Sequence, residues 1–115
     1  MTKITILRNS NDSIVEYEIK GHTDYDVFGK DILCASISIL SQTALISLNE
    51  VCGIKRSNIS YSIDDKKGYL KVSLPHGLPK AQREKADVVL ETMLVGLRGL
   101  ADIYPDYITL KYGEV

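Results

Sequence analysis

Two kinds of spacing divide this chain. Residues 3–8 alternate, with Ile4 and Ile6 on one side and Thr5 and Leu7 on the other. Residues 13–20 set Val15, Tyr17 and Ile19 against Glu16, Glu18 and Lys20. A period of two predicts strands, and Asn9-Ser-Asn-Asp12 between them is turn chemistry, so the pair reads as a hairpin. Residues 58–63 alternate Ile59, Tyr61 and Ile63 with Ser60 and Ser62, and residues 69–74 align Leu70, Val72 and Leu74. Asp64-Asp-Lys-Lys-Gly68 joins these two as a second hairpin. A last strand is predicted near 107–112, with Ile108, Leu110 and Tyr112 in phase.

Helical spacing fills the two gaps. Over 32–52, Leu33, Ile37, Leu40, Ala44, Leu48 and Val51 recur on one face, and Ile32, Ile39 and Ile46 add a second stripe. A helix apolar on so much of its circumference is expected to be central. Asp31 suits its N-cap and Gly53 its C′ position. Over 79–102, Ala86, Val89, Met93, Leu97 and Leu100 form one stripe, with Pro79 in the first turn and Tyr104-Pro105 as the stop. The order is ββαββαβ. That pattern predicts an α+β fold, a mostly antiparallel five-stranded sheet with two helices on one face, in a single domain over 1–115. Small residues on the helices (Gly96 and Gly99; Ala35, Ser36, Ser38, Ser41 and Ser47) suit close helix packing, inside one subunit or across a dimer.

Composition narrows the setting. A net charge of −1 and a pI of about 6.1 give no reason to expect nucleic-acid binding. Residues 32–49 carry no charge, yet seven of them are Ser, Gln, Thr or Asn, which argues against a membrane span. The opening Met-Thr-Lys-Ile-Thr-Ile has no signal-peptide pattern. Cys34 and Cys52, on one helix, would lie about 27 Å apart at 1.5 Å per residue, too far for a disulfide. No zinc or Cys-x-x-Cys spacing occurs, so no metal or cofactor is expected, and the context reads as reducing and cytoplasmic.

Against that background one stretch carries chemistry: Gly21-His22 at a strand end, then Asp31-Ile-Leu-Cys34-Ala-Ser-Ile-Ser38 at a helix start. Only the thiolate attacks, and a helix N-terminus and a nearby imidazole both favour it. Cys34 three residues after the Asp31 cap is therefore the candidate nucleophile and His22 its candidate base. Taken alone, Cys34 reads equally as a small buried hydrophobe, and a lone His22 as a surface or a hydrogen-bonded residue. Asp31 either caps the helix or orients His22, and capping is the favoured role. Ser38, one turn beyond Cys34, is a supporting donor or a packing residue. Cys52 reads as structural, and His76 as structural or exposed. The link from Gly21 to Gly29 carries Tyr25, Val27 and Phe28, as a substrate-holding loop or a core anchor.

The combination Gly21-His22 … Gly29-Lys-Asp31-Ile-Leu-Cys34-Ala-Ser-Ile-Ser38 resembles the ribosomal-processing cysteine proteases of Gram-positive and related bacteria. The resemblance covers the whole chain in length and element order. Thr23 and Ser36 depart from it, standing where alanine would be expected. It implies a dimeric cytoplasmic endopeptidase with Cys34 and His22 as nucleophile and base. The implied substrate is a large-subunit ribosomal protein, the twenty-seventh of that subunit. The implied reaction removes a short N-terminal extension by a cut after an aromatic residue and before a small one. The rival reading is a non-catalytic ribosome-associated peptide-binding module, in which Cys34 merely packs. A thiol redox protein is a weaker third, since no resolving cysteine lies near.

Overall fold

The structure, a computed structural model, describes residues 1–21 and 30–115, with Lys30 and Asp31 described by backbone alone. Its elements are β1 (Thr2–Arg8), β2 (Ile14–Lys20), α1 (Lys30–Glu50), β3 (Ser60–Asp64), β4 (Tyr69–Ser73), α2 (Lys80–Ile103) and β5 (Ile108–Glu114). The sheet order is β3-β4-β2-β1-β5. β1 pairs with β5 in parallel, and the β1–β2, β2–β4 and β3–β4 pairings are antiparallel. This is the α+β, mostly antiparallel arrangement that the spacing predicts.

Register explains the core. Ile4 lies opposite Ile19 and Ile6 opposite Tyr17, while Leu70 and Val72 of β4 face Ile19 and Tyr17 from the other side. All six are buried and form one cluster with Leu33, Ile37 and Leu48 of α1 and Leu90, Leu94 and Leu97 of α2. Both helices therefore cover the same face of the sheet. The other face carries Glu16, Glu18 and Lys71, with Ser73 donating to Glu16 at 2.7 Å. Alternation fails at one point. The register shifts at Leu7/Arg8, where Leu7 faces Glu16 but Arg8 faces Ile14. This bulge leaves Val15 without an opposite residue, so Ile14 and not Val15 turns into the core.

Turn chemistry behaves as expected. Asn9 Oδ1 accepts from the N–H groups of Asn11 and Ser13, and Asp12 adopts φ 64°. Gly53 adopts φ 75° after α1, and Ile54 N–H donates back to the Leu48 carbonyl at 3.1 Å. Pro79 occupies the N-cap of α2 and not its first turn. The buried stripe of α2 is also rotated from the expected one. It centres on Leu90 and Leu94, while Val89 and Leu100 are only partly buried.

The position of α1 over the sheet is fixed by Tyr17. Its ring is 1% exposed and its hydroxyl donates to the Ser41 carbonyl at 2.9 Å. Burial pushes this phenol well above its ordinary pKa, so it stays a neutral donor. α1 and α2 close against each other where Gly96 meets Leu40, and a Cβ on Gly96 would lie 2.8 Å from a Leu40 methyl. Gly99 has open space instead, so only the first of the two glycines serves this helix packing. At the far end Arg83 donates to the Ile14 carbonyl at 2.8 Å and pairs with Asp87, and Arg8 pairs with Glu91. These contacts tie α2 to the first hairpin. Leu48→Ala, deleting a side chain with no exposure at the centre of this core, is expected to destabilise the fold by about 2–5 kcal/mol in urea melts.

α1 is not central as its composition suggests. Ile32, Ile39 and Ile46 are 62%, 66% and 53% exposed. The helix has one buried stripe, because a sheet and a single neighbouring helix cover only part of its circumference. Residues Ile32–Glu50 are long and apolar enough to cross a membrane by length and composition. In the fold their inner stripe is part of the core cluster.

Candidate active site

The central strands end together at one edge of the sheet. Lys20 of β2 lies opposite both Lys3 of β1 and Tyr69 of β4. The first half of α1 passes over this end, and a groove of about 330 Å³ opens between helix and strand ends. Its size is within the range of small-ligand clefts, about 300–1,000 Å³. Cys34 lines it and is half-buried. Ser38, one turn further along α1, lines it too, as does Gly21 at the end of β2.

Gly21 must be glycine for two reasons. Its φ is 98°, and a Cβ there would stand 2.7 Å from the Met1 carbonyl oxygen. The chain thus leaves β2 tightly against the start of β1, at the groove wall. His22, Tyr25, Phe28 and Gly29, with the whole 22–29 connection, lie outside the described residues, and so does the Asp31 side chain. The structure therefore brings together Cys34, Ser38 and Gly21 of the residues singled out from sequence.

One local expectation changes. Within the described residues α1 runs from Lys30, so Asp31 already lies inside it and is not its cap, and Cys34 stands at least at its fifth position and not its third. The unpaired N–H groups of a helix belong to its first turn, and the dipole effect fades beyond it. The N–H of a fifth helical residue is already in the i→i−4 ladder. Cys34 thus lies deeper in α1 than its spacing from Asp31 suggests.

Sequence reasoning missed Gln42 and Asp65, which line the same groove. Asp65 lies in the second hairpin, and β4 lays that turn beside the end of β2 because Tyr69 pairs with Lys20. The Tyr69 hydroxyl points elsewhere, donating to Glu18 at 2.9 Å, and that bond holds the phenol above its usual pKa. Cys52 is 2% exposed in the core, and burial pushes its thiol up, opposed by Lys85 and Arg83. Among the described residues no cluster of His, Cys, Asp and Glu could hold a metal ion.

The groove thus sets a half-buried thiol beside a glycine-tightened strand end. Comparison with known proteins gives that arrangement its class. The family model "Cysteine protease Prp" matches residues 1–109, and the chain belongs to that family of cysteine proteases. A relative in Bacillus subtilis strain 168, the ribosomal processing cysteine protease Prp, is 26% identical over 106 residues, covering 92% of each chain. SMU.848 of Streptococcus mutans superposes with a TM-score of 0.84 at 27% identity, over 100% of this chain and 96% of that one. The Prp protease of Staphylococcus aureus in complex with a substrate peptide has the same fold, with a TM-score of 0.80 at 22% identity over 97% of this chain and 99% of that one. The same S. aureus protein has also been solved with a covalently linked product peptide. Family membership decides for the enzyme over the binding module and the redox protein.

Proposed function

We propose that this protease removes a short N-terminal extension from a large-subunit ribosomal protein in the cytoplasm, through an acyl-enzyme on Cys34 with His22 as base. The observation that carries the reading is the groove itself. Cys34 opens onto it, Gly21 forms part of its wall, and His22 is the covalent neighbour of Gly21. The ribosomal-processing relatives, and the covalent peptide product held by the S. aureus protein, support the substrate and the acyl step.

The chemistry follows from the two groups. The His22 imidazole takes the Sγ proton, and the thiolate adds to the scissile carbonyl. His22 then gives that proton to the leaving amine as the C–N bond breaks. Water, deprotonated by the same imidazole, hydrolyses the thioester and restores the thiol. Ser38 supplies a hydroxyl in the same groove for the substrate or the developing oxyanion. Asp31 stabilises the start of α1 or orients His22. Tyr25 and Phe28, between Gly21 and Gly29, hold apolar substrate side chains near the cut after an aromatic residue.

The test is incubation of catalytic amounts of protein with the N-terminally extended ribosomal protein, read by intact mass. The expected result is one shortened protein and one released peptide ending in an aromatic residue. An unchanged mass, from a preparation whose Cys34 still reacts with iodoacetamide, would overturn the assignment.

We also propose a homodimer, formed over the outer faces of the two helices. Ile39 and Val88 are 66% and 67% exposed and line a groove of about 350 Å³ between α1 and α2. Apolar side chains clustered in this way mark association surfaces. Sedimentation should give twice the chain mass for the native protein, and the single-chain mass for Ile39→Glu with Val88→Glu. A native protein sedimenting as one chain would refute it.

A further inference from the structure

A second groove, of about 270 Å³, runs between α1 and the edge strand β3. On the helix it is lined by Gln42, Leu45 and Asn49, and on the strand side by Ile59, Tyr61 and Ile63. Tyr61 and Ile63 stand on the core face of the sheet, opposite Val72 and Leu70. Their partners are 1% and 5% exposed, but Tyr61 and Ile63 are 55% and 43% exposed. The apolar face of the sheet therefore extends past its helical cover by one strand.

This groove adjoins the one that Cys34 lines. Gln42 lines both. So does one pair in the sheet, since Leu70 lines the first and its register partner Ile63 lines the second. Gln42 is eight residues beyond Cys34 and Leu45 eleven, about 12 and 17 Å along the helix at 1.5 Å per residue. An extended peptide advances about 3.3 Å per residue. A chain lying across Cys34 and following α1 reaches Gln42 after about four residues and Leu45 after about five.

We infer that the α1–β3 groove is a second subsite of the protease, taking an apolar side chain of the same extended substrate about four to five residues from the bond cleaved. The inference rests on the reading of Cys34 as the nucleophile of a peptide hydrolase. The occupant is the substrate chain because the two grooves meet at Gln42 and at the Ile63–Leu70 pair, within reach of one extended peptide. The chemistry fits as well: the strand-side wall is apolar and aromatic, and Asn49 is held at one side by Arg56, whose Nε donates to its Oδ1 at 3.3 Å. An apolar side chain there covers Tyr61 and Ile63, which nothing else among the described residues buries.

The test uses synthetic peptides that span the cleaved bond by at least six residues on each side, shortened stepwise from either end. For the native protein, kcat/KM is expected to fall about tenfold when one of the two series loses its fourth or fifth residue. Tyr61→Ala and Ile63→Ser should each lower kcat/KM for the long peptide by a similar factor. In those variants the same truncation should cost nothing further, because removing both partners of one contact is not additive. Tyr61→Phe should restore the length preference. Equal losses on long and short peptides, or no dependence on length in the native protein, would overturn the subsite. So would variants that change only the sedimenting mass, which would assign the groove to a second copy. Failure of the native protein to cleave any of these peptides would instead count against the protease reading, and the subsite would fall with it.

Discussion

Cys34→Ala is expected to remove cleavage of the extended ribosomal protein altogether, a loss of up to about a millionfold, the scale seen when a hydrolase nucleophile is deleted. The side chain loses one sulfur in a half-buried position on the groove, so melting temperature and circular dichroism should remain near those of the native protein. Cys34→Ser should be almost as inactive, since a hydroxyl without a base matched to it is a far poorer nucleophile. Cys52→Ala is the control. That thiol is 2% exposed, and burial holds it in the neutral form, so it neither meets substrate nor attacks it. Cys52→Ala should therefore retain turnover, and iodoacetamide should label the native chain at Cys34 alone. Measurable turnover by a Cys34→Ala preparation free of native enzyme would remove the thiol from the mechanism.

Much of the fold was legible because short-range rules settle it. Gly53 and the Asn9–Asp12 turn ended their elements where backbone chemistry requires, and period two located every strand. What was not legible depends on partners distant in sequence. Val15 follows the alternation of its own strand, but a bulge opposite Leu7/Arg8 hands its place in the core to Ile14. Ile32, Ile39 and Ile46 look like core by spacing, and only the position of α2 and the sheet shows that their side of α1 is left uncovered.

The site divides in the same way. Cys34, Ser38 and Gly21 stood out because their residue types carry chemistry or backbone freedom. Asp65 and Gln42 did not, since a turn aspartate and a helical glutamine are ordinary where they stand in sequence. Strand register could have found Asp65: once β4 is paired with β2, the second hairpin must turn beside Gly21. The start of α1 misled in the other direction. Asp31 is a good cap by type, yet the helix already includes Lys30 before it, and the thiol lies about half a turn deeper than the cap implied.

That depth sharpens the last expectation. With Cys34 further from the helix start than an Asp31 cap would place it, the proposed mechanism leans on His22 for the proton chemistry. His22→Ala is therefore expected to lower kcat by about 10²–10⁴-fold, the range of general acid–base assistance. Two consequences separate this from a structural role. Alkylation of Cys34 should become slower near neutral pH in His22→Ala, and its pH profile should move upward, because the thiolate is no longer favoured by a neighbouring cation. Added imidazole should restore part of the turnover, with an effect that rises with the neutral fraction of the added base. If His22→Ala keeps the native alkylation profile and the native rate of cleavage, His22 is only a neighbour of Gly21, and the proton must be taken by another group around the groove, with Asp65 the first to replace by asparagine.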